Sequence, residues 1–593
     1  MQKFNGILQP SVPHAWHHCR PYLTLMGWTG LLLVASNGQQ SLMAHDEGWY
    51  ATQARWIVET GDWITPQWWG QPVYDRTIGL QWLIALCYQL AGISDGVARL
   101  PSLAACLGAV ALTYAIGKRL LTPHLAWTGA AILPLCSLWL QYGRMAVQDI
   151  VLTCLELLGI WALLQAEADD RQRSWWGLLA GMTVGLGFLI KSIMILLPIV
   201  ALVPYLLTHR RHFTNLGLHL GLVIGAIPVC LWFWFSYQQY GLLPFQQLFG
   251  HLFHLGSQQF HADAGFLYYG WNIPINAFPW ALLAVVGLLI GHGSQVIGHP
   301  SPKNNGQLLV TGAIKDDDTS TGAITPLAPF PISSASSLLY LYPLLLLAAL
   351  TVFSTRTPYY ALQLYPFIGL WAAVALSWLT HRASPSITAG VSYGVAGLAI
   401  VLLVAAAILS LGIIPGSAEF RWYALPVWLL AGGWLALPWI WHRRQVQRWL
   451  ATFLLAPWLA LAGAGIVGLW GNYNPDVKAA LTNSQLASVL QAHPVSVVVK
   501  DLQPEEHKTW VLLSFYSPRL GRSLASLADL PLGEYAWVSP GASADVDRRY
   551  ATIATIRNWK LVTSATLPST VHLGIDTALP STTPTLPVAQ SRV

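Results

Sequence analysis

The chain has 593 residues, of which 54% are hydrophobic and 9% charged, with thirty Trp and a formal net charge of +6. An ordinary soluble protein carries about 25% charged residues. The composition therefore excludes a large soluble core, fits a polytopic α-helical membrane protein, and gives no reason to expect a nucleic-acid partner.

Thirteen runs are long and apolar enough to cross a bilayer, near 21–38, 98–117, 124–142, 149–166, 174–190, 193–208, 216–235, 275–291, 336–353, 359–379, 388–412, 422–441 and 449–470. The first is followed by many others, so it reads as a span and not as a cleaved signal. Residues 77–92 are apolar but short, with Gln81 and Gln89 inside, and are expected to form a helix lying in the interface. With the N-terminus in the cytoplasm, the basic turns Lys118–Arg119, Arg171 and Arg173, Arg210–Arg211, Lys303 and Lys315, Arg382, and Arg443–Arg444 all fall inside. The outer face then receives 39–97, 143–148 and 236–274, and the inside loop 292–335 is expected to be flexible. Residues 1–470 are thus one transmembrane domain, with 38–97 as its first outer loop. In 471–565 the alternating runs SVVVK, VLLSFYS, EYAWVS and YATIATI suggest short strands of a small outer α/β domain. The Pro/Thr/Ser-rich end, 566–593, is expected to be disordered. The six Cys show neither CxxC nor Cys/His spacing, which argues against a disulfide framework or a zinc site.

Charged groups at a membrane face are costly unless they serve a cavity or a partner. On the outer side these are Asp46, Glu47, Asp75, Arg76, Asp149, Lys191, His261 and Arg356. Carboxylates and cations gathered at one leaflet suit an anionic substrate with a lipid end. Each residue also has a plainer reading. Asp46 precedes a helical stripe and Asp149 opens a span, both favoured N-cap positions; Glu47 suits a first turn. Lys191 could snorkel from a helix end, Tyr359 and Tyr360 could belong to an interfacial belt, and most loop His are simply solvated.

The string from His45 to Ser102 resembles the first outer loop of GT-C glycosyltransferases, above all the bacterial lipid A aminoarabinose transferases and protein O-mannosyltransferase-like enzymes. Asp46, Glu47, Tyr50, Gly61, Asp62, Trp63, Pro66, Gly70, Pro72 and the string Ala98 to Ser102 carry the likeness. It continues through YGRMAVQDIVLT, GLGFLIKS and RTPYYALQLYP. The resemblance implies transfer of a sugar from a polyprenyl-phosphate donor to a lipid or glycan acceptor, on the outer face of the bacterial inner membrane. By it, Asp46 and Asp149, with Glu47 grouped beside them, are the catalytic carboxylates. Arg76, Lys191, Arg356, Tyr359 and Tyr360 would hold the donor phosphate, and Asp75 and His261 a divalent metal ion of unknown identity. One departure stands out: a Phe-Glu-Lys-Pro-Pro-like segment is expected where this chain has Tyr74-Asp75-Arg76-Thr77-Ile78. A protein O-glycosyltransferase of the same fold is the nearest rival. A transporter is a further one, against which stand the missing internal repeat and the clustering of charge at one face.

Overall fold

The computed structural model describes residues 14–35, 37–257, 265–296, 336–413, 417–482, 484–547 and 549–564. His261, residues 297–335 of the expected inner loop, and the 566–593 tail lie outside them. Among the described residues, eight helices are long and apolar enough to cross a membrane, or nine if the bent pair Tyr268–Asn276 and Trp280–Gly291 is one span. This is fewer than the thirteen runs, for visible reasons. The run 124–142 breaks at the Leu133–Leu135 turn around Pro134 into Pro123–Ile132 and Ser137–Gly143. Residues 173–208 run as two helices, Arg173–Lys191 and Leu196–Thr208, joined by the short turn Ser192–Ile195, and the second is only 13 residues long.

That stretch folds back on itself. Arg173–Lys191 ends at Ser192, whose φ of 50° no helix tolerates. Leu196–Thr208 then returns the chain, so that Arg211 pairs with Asp170 and Asn215 Nδ2 donates to the Arg173 carbonyl at 2.9 Å. The next helix, Leu216–Tyr240, therefore runs parallel to Arg173–Lys191, and glycines let the two approach closely. Gly177, Gly181 and Gly185 face Asn215, Gly221 and Gly225 in matching order, and a Cβ on Gly185 would overlap the Gly225 carbonyl. Gly185→Leu must push these helices apart. We expect it to lower stability by about 1–3 kcal/mol, read as an earlier thermal transition in detergent than for an exposed-face control such as Gly390→Leu, where a Cβ meets open space.

The reversal also sorts the charges. Arg119 donates to Gln165, and Tyr205 and His212 bond Glu167, at the same end as Asp170, Arg173 and Arg211. Asp149 and Lys191 lie at the other end of the 21-residue helix Gln148–Ala168, about 30 Å away.

At that other end the chain between the first helix and Leu100–Leu120 builds a layer of its own. It contains Trp49–Thr60, the two-residue pair β1 (Gln67–Trp68) and β2 (Gln71–Pro72), and Gly79–Ala91. The 13 residues of Gly79–Ala91 reach about 20 Å, too short to cross. The helix lies on Trp49–Thr60, where the Gln81 amide meets that of Gln53 at 2.8 Å. Its start rests on the end of Arg173–Lys191, since a Cβ on Gly79 would meet the Leu189 carbonyl at 2.6 Å.

Residues 495–563 form a five-stranded sheet in the order β4-β3-β5-β7-β6. Its strands are β3 (Val495–Val498), β4 (Leu520–Leu524), β5 (Tyr535–Val538), β6 (Ala551–Ile556) and β7 (Trp559–Thr563). β3 pairs in parallel with β4 and β5, and β7 antiparallel with β5 and β6. The β6–β7 hairpin turns on Arg557 and Asn558, both at positive φ, as a two-residue primed turn requires. Three of the four alternating runs fall on strands. The fourth, VLLSFYS, is instead mostly the second half of the helix Pro504–Tyr516. Start signals outweigh alternation there: Pro504 opens the helix, and Gln503 and Glu506 form a reciprocal capping box.

Candidate active site

Asp46 does not cap the helix that follows it. It sits inside a π-turn, Ala44–Gly48, closed by the Gly48 N–H donating to the Met43 carbonyl at 2.7 Å. The helix Trp49–Thr60 begins at Gly48 with no side-chain cap. A turn of this kind re-aims a side chain. The Asp46 carboxylate points to Arg76, with Nη1 to Oδ1 at 3.8 Å, and Arg76 Nε lies 3.5 Å from Asp75 Oδ2. The guanidinium stands 4.9 Å over the Tyr50 ring. Asp46 and Arg76 are both half-buried, so the pair is open to a third partner.

Asp149 likewise is no cap. The helix begins at Val147 without a side-chain cap, and the Asp149 carboxylate forms an ion pair with Lys191. Lys191 reaches it because the backbone reversal at Ser192 ends the helix there. Its ammonium stands 4.9 Å from the ring centres of both Tyr359 and Tyr360. Tyr359 packs on Tyr142 at 5.5 Å. Asp46 and Asp149 lie within electrostatic range of each other, as do Arg76 and Tyr359. Five elements far apart in sequence thus bring Asp46, Asp75, Arg76, Asp149, Lys191, Tyr359 and Tyr360 to one place.

Two expected site residues have other partners. Glu47 is a correction: it is fully buried and faces away from this cluster. Its Oε1 accepts from Arg99 Nε at 2.6 Å and from the Ala146 N–H at 3.1 Å; its Oε2 accepts from Arg99 Nη2 and from the Met43 N–H, both at 3.0 Å. It ties the turn to the string Ala98 to Ser102 and has no oxygen left for chemistry. Arg356 donates through Nε and Nη2 to the Thr351 carbonyl, at 2.9 and 2.7 Å, at the end of the preceding helix Ser336–Val352. His261 lies outside the described residues. Asp75 Oδ1 is buried without a partner, as a ligand atom would be. Yet its other oxygen faces the Arg76 guanidinium, which opposes a cation, and the described residues hold no group of three His, Cys, Asp or Glu able to bind a metal. The described residues alone make up no metal site, and the other expected ligand, His261, is not among them.

Sequence reasoning passed over Arg55, Arg99, His45 and His507. Arg55 is buried and donates to the carbonyls of Phe515 at 2.9 Å, Ser517 at 2.6 Å and Pro518 at 2.7 Å, clamping the end of Pro504–Tyr516. The Leu42 N–H donates to Tyr516 Oη at 2.9 Å, and Lys478 pairs with Asp95. His45 stacks on His507 at 5.5 Å. Burial first, then the neighbouring His507 and Lys508, push the His45 pKa down to about 4; Arg76 acts in the same sense and Asp46 against it. Burial also lowers His507. The unfolded imidazole takes its proton near 6.5, while the folded one resists until about 4, so acid favours the unfolded chain. The contribution is complete above pH 6.5 and is lost as pH falls toward 4. Thermal unfolding in detergent at pH 7 and pH 4.5 is expected to show a larger drop for the native chain than for His45→Phe.

The fold is a bundle of apolar helices, at least eight of the described ones long enough to cross a membrane, with the charged cluster at one end. Residues 75–234 match the dolichyl-phosphate-mannose-protein mannosyltransferase family. The chain is 28% identical over 207 residues to the undecaprenyl phosphate-alpha-4-amino-4-deoxy-L-arabinose arabinosyl transferase of Pseudomonas aeruginosa, a match covering 34% of this chain and 38% of the relative. The enzyme of that name from Erwinia tasmaniensis is 26% identical over 279 residues, 46% of this chain and 49% of that one. The matches thus span less than half the length of these relatives. In structure the chain resembles ArnT from Cupriavidus metallidurans bound to undecaprenyl phosphate, with a TM-score of 0.68 at 16% identity over 92% of this chain and 98% of that one. The apo form gives 0.66 at 18% identity, covering 92% and 97%. At these identities the likeness establishes the fold.

Proposed function

We propose that the protein is an integral membrane glycosyltransferase that passes a sugar from a polyprenyl-phosphate carrier to a lipid or glycan acceptor on the outer face of the bacterial inner membrane. The observation that carries this reading is the Asp149–Lys191 pair, roofed by Tyr359 and Tyr360 and set beside Asp46–Arg76. Two cations in a half-buried cluster suit a lipid phosphate, whose negative charge grows as the glycosidic bond breaks. The donor phosphate competes with Asp149 for Lys191 and with Asp46 for Arg76. Binding it releases both carboxylates for the acceptor, where one orients or deprotonates the attacking oxygen. A phosphate acceptor needs little such help. Arg356, which shortly precedes Tyr359 and Tyr360 in the chain, stays a candidate for the phosphate. The names of the relatives in Pseudomonas and Erwinia support an undecaprenyl carrier.

The cluster lies at the opposite end of the helices from Arg119, Arg173 and Arg211. The positive-inside rule makes that basic end cytoplasmic, so in this reading the site, and the C-terminal unit whose helix Pro504–Tyr516 packs on it, face outside.

Membranes holding the protein and a polyprenyl-phosphate donor pool labelled in the sugar test this reading. Label is expected to move into the lipid fraction. Movement into protein would favour a protein O-glycosyltransferase, the reading that the mannosyltransferase family match supports. No movement into either overturns the proposal.

A further inference from the structure

The C-terminal sheet unit reaches the catalytic turn through one helix, Pro504–Tyr516. His507 on that helix stacks on His45, with ring centres 5.5 Å and planes 10° apart, and on Trp49 at 5.8 Å. Trp49 in turn stacks on Trp68 at 4.1 Å. His45 directly precedes Asp46, and Trp49 directly follows the π-turn that carries it. Both sides of that turn are therefore held by rings that touch His507. The turn is also seated directly on the helix, since a Cβ on Gly48 would come within 3.0 Å of Val511 Cγ1. The ring nitrogens His45 Nε2, Trp49 Nε1, Trp68 Nε1 and His507 Nδ1 are buried without hydrogen-bond partners. Ring contact and not hydrogen bonding holds this column together. Lys508 and Arg76 are the cations near His45 and Asp46 the anion.

We propose that His507 is a positioning residue for the transfer reaction: through the His45 and Trp49 rings it fixes the π-turn so that the Asp46 carboxylate is aimed beside Arg76. The C-terminal unit then completes the site without touching substrate. The Glu47–Arg99 pair anchors the turn on one side and the rings on the other, and a misplacement of about 1 Å at a reacting group costs on the order of 10²-fold in rate. This inference rests on the function proposed above.

The test uses the full chain in membranes, with His507→Ala, His507→Phe and Asp46→Asn beside the native protein. Label transfer from the donor pool gives the rate, and binding of undecaprenyl phosphate to the purified proteins gives ground-state affinity. His507→Ala is expected to lower the maximal rate about tenfold or more, while affinity for undecaprenyl phosphate stays within about twofold, because Lys191 and Arg76 are untouched. His507→Phe keeps the ring column and is expected to recover most of the rate. A native rate in His507→Ala overturns the inference, as does a folded His507→Phe as slow as His507→Ala, or rate and affinity falling together. If His507→Ala does not fold, the rate of His507→Phe decides alone. An inactive Asp46→Asn beside a native-rate His507→Ala rejects only the positioning role; an active Asp46→Asn rejects the functional reading itself.

Discussion

Replacing Asp46 with Asn is expected to abolish transfer while the protein still folds and inserts. The substitution keeps the shape of the side chain and removes its charge. Because Asp46 caps no helix and its ion partner lies 3.8 Å away in a half-exposed position, little stability depends on it. The rate, by contrast, is expected to lose the group proposed to orient or deprotonate the acceptor, worth about 10²–10⁴-fold. Transfer assays on membranes, paired with gel filtration of the solubilised protein, check both halves. A fully active Asp46→Asn would return the residue to a purely structural role.

The opposite pattern is expected one residue further on. Glu47 and Arg99 form a fully buried ion pair, and the same carboxylate also receives two backbone N–H groups. Glu47→Gln leaves the Arg99 guanidinium buried without its counter-charge, at a cost of about 3–5 kcal/mol. That is a large share of the roughly 5–15 kcal/mol that holds a typical protein together. Folded yield and thermal transition in detergent should fall sharply. Replacing both partners by Leu should be far milder than either single change, because no uncompensated charge is left. If Glu47→Gln melted like the native chain and lost only its activity, the separation of roles between Asp46 and Glu47 would be wrong.

This separation shows where sequence reading ends. Asp46 and Glu47 are adjacent acids, and capping rules give both to the start of one helix, as its N-cap and in its first turn. Their fates diverge because a π-turn rotates one toward Arg76 and the other toward Arg99, 52 positions along the chain. Nothing local encodes that rotation. The apolar runs, the short helix within 77–92 and the basic residues at helix ends were legible because period, length and charge are local properties. Asp149 and Lys191 could be picked out as charges in awkward places, but their pairing needs the reversal at Ser192. VLLSFYS read as a strand because alternation was weighed without the capping box just before it. His507 gave no signal at all: its meaning lies in the ring it stacks on, more than four hundred residues away. The string Ala98 to Ser102 did carry a clue to Arg99, since an Arg within a motif beside a membrane invites a search for its carboxylate.

The central claim, sugar transfer onto an envelope acceptor at the Asp46–Asp149 cluster, is tested most directly by mass spectrometry of envelope lipids and glycans from cells with the native protein, with Asp46→Asn, and without the protein. The account predicts one or more glycan- or lipid-linked ions, heavier by a sugar residue, that appear with the native protein and are missing from both other samples. Identical spectra in all three, or the same ions with Asp46→Asn as with the native chain, would contradict it.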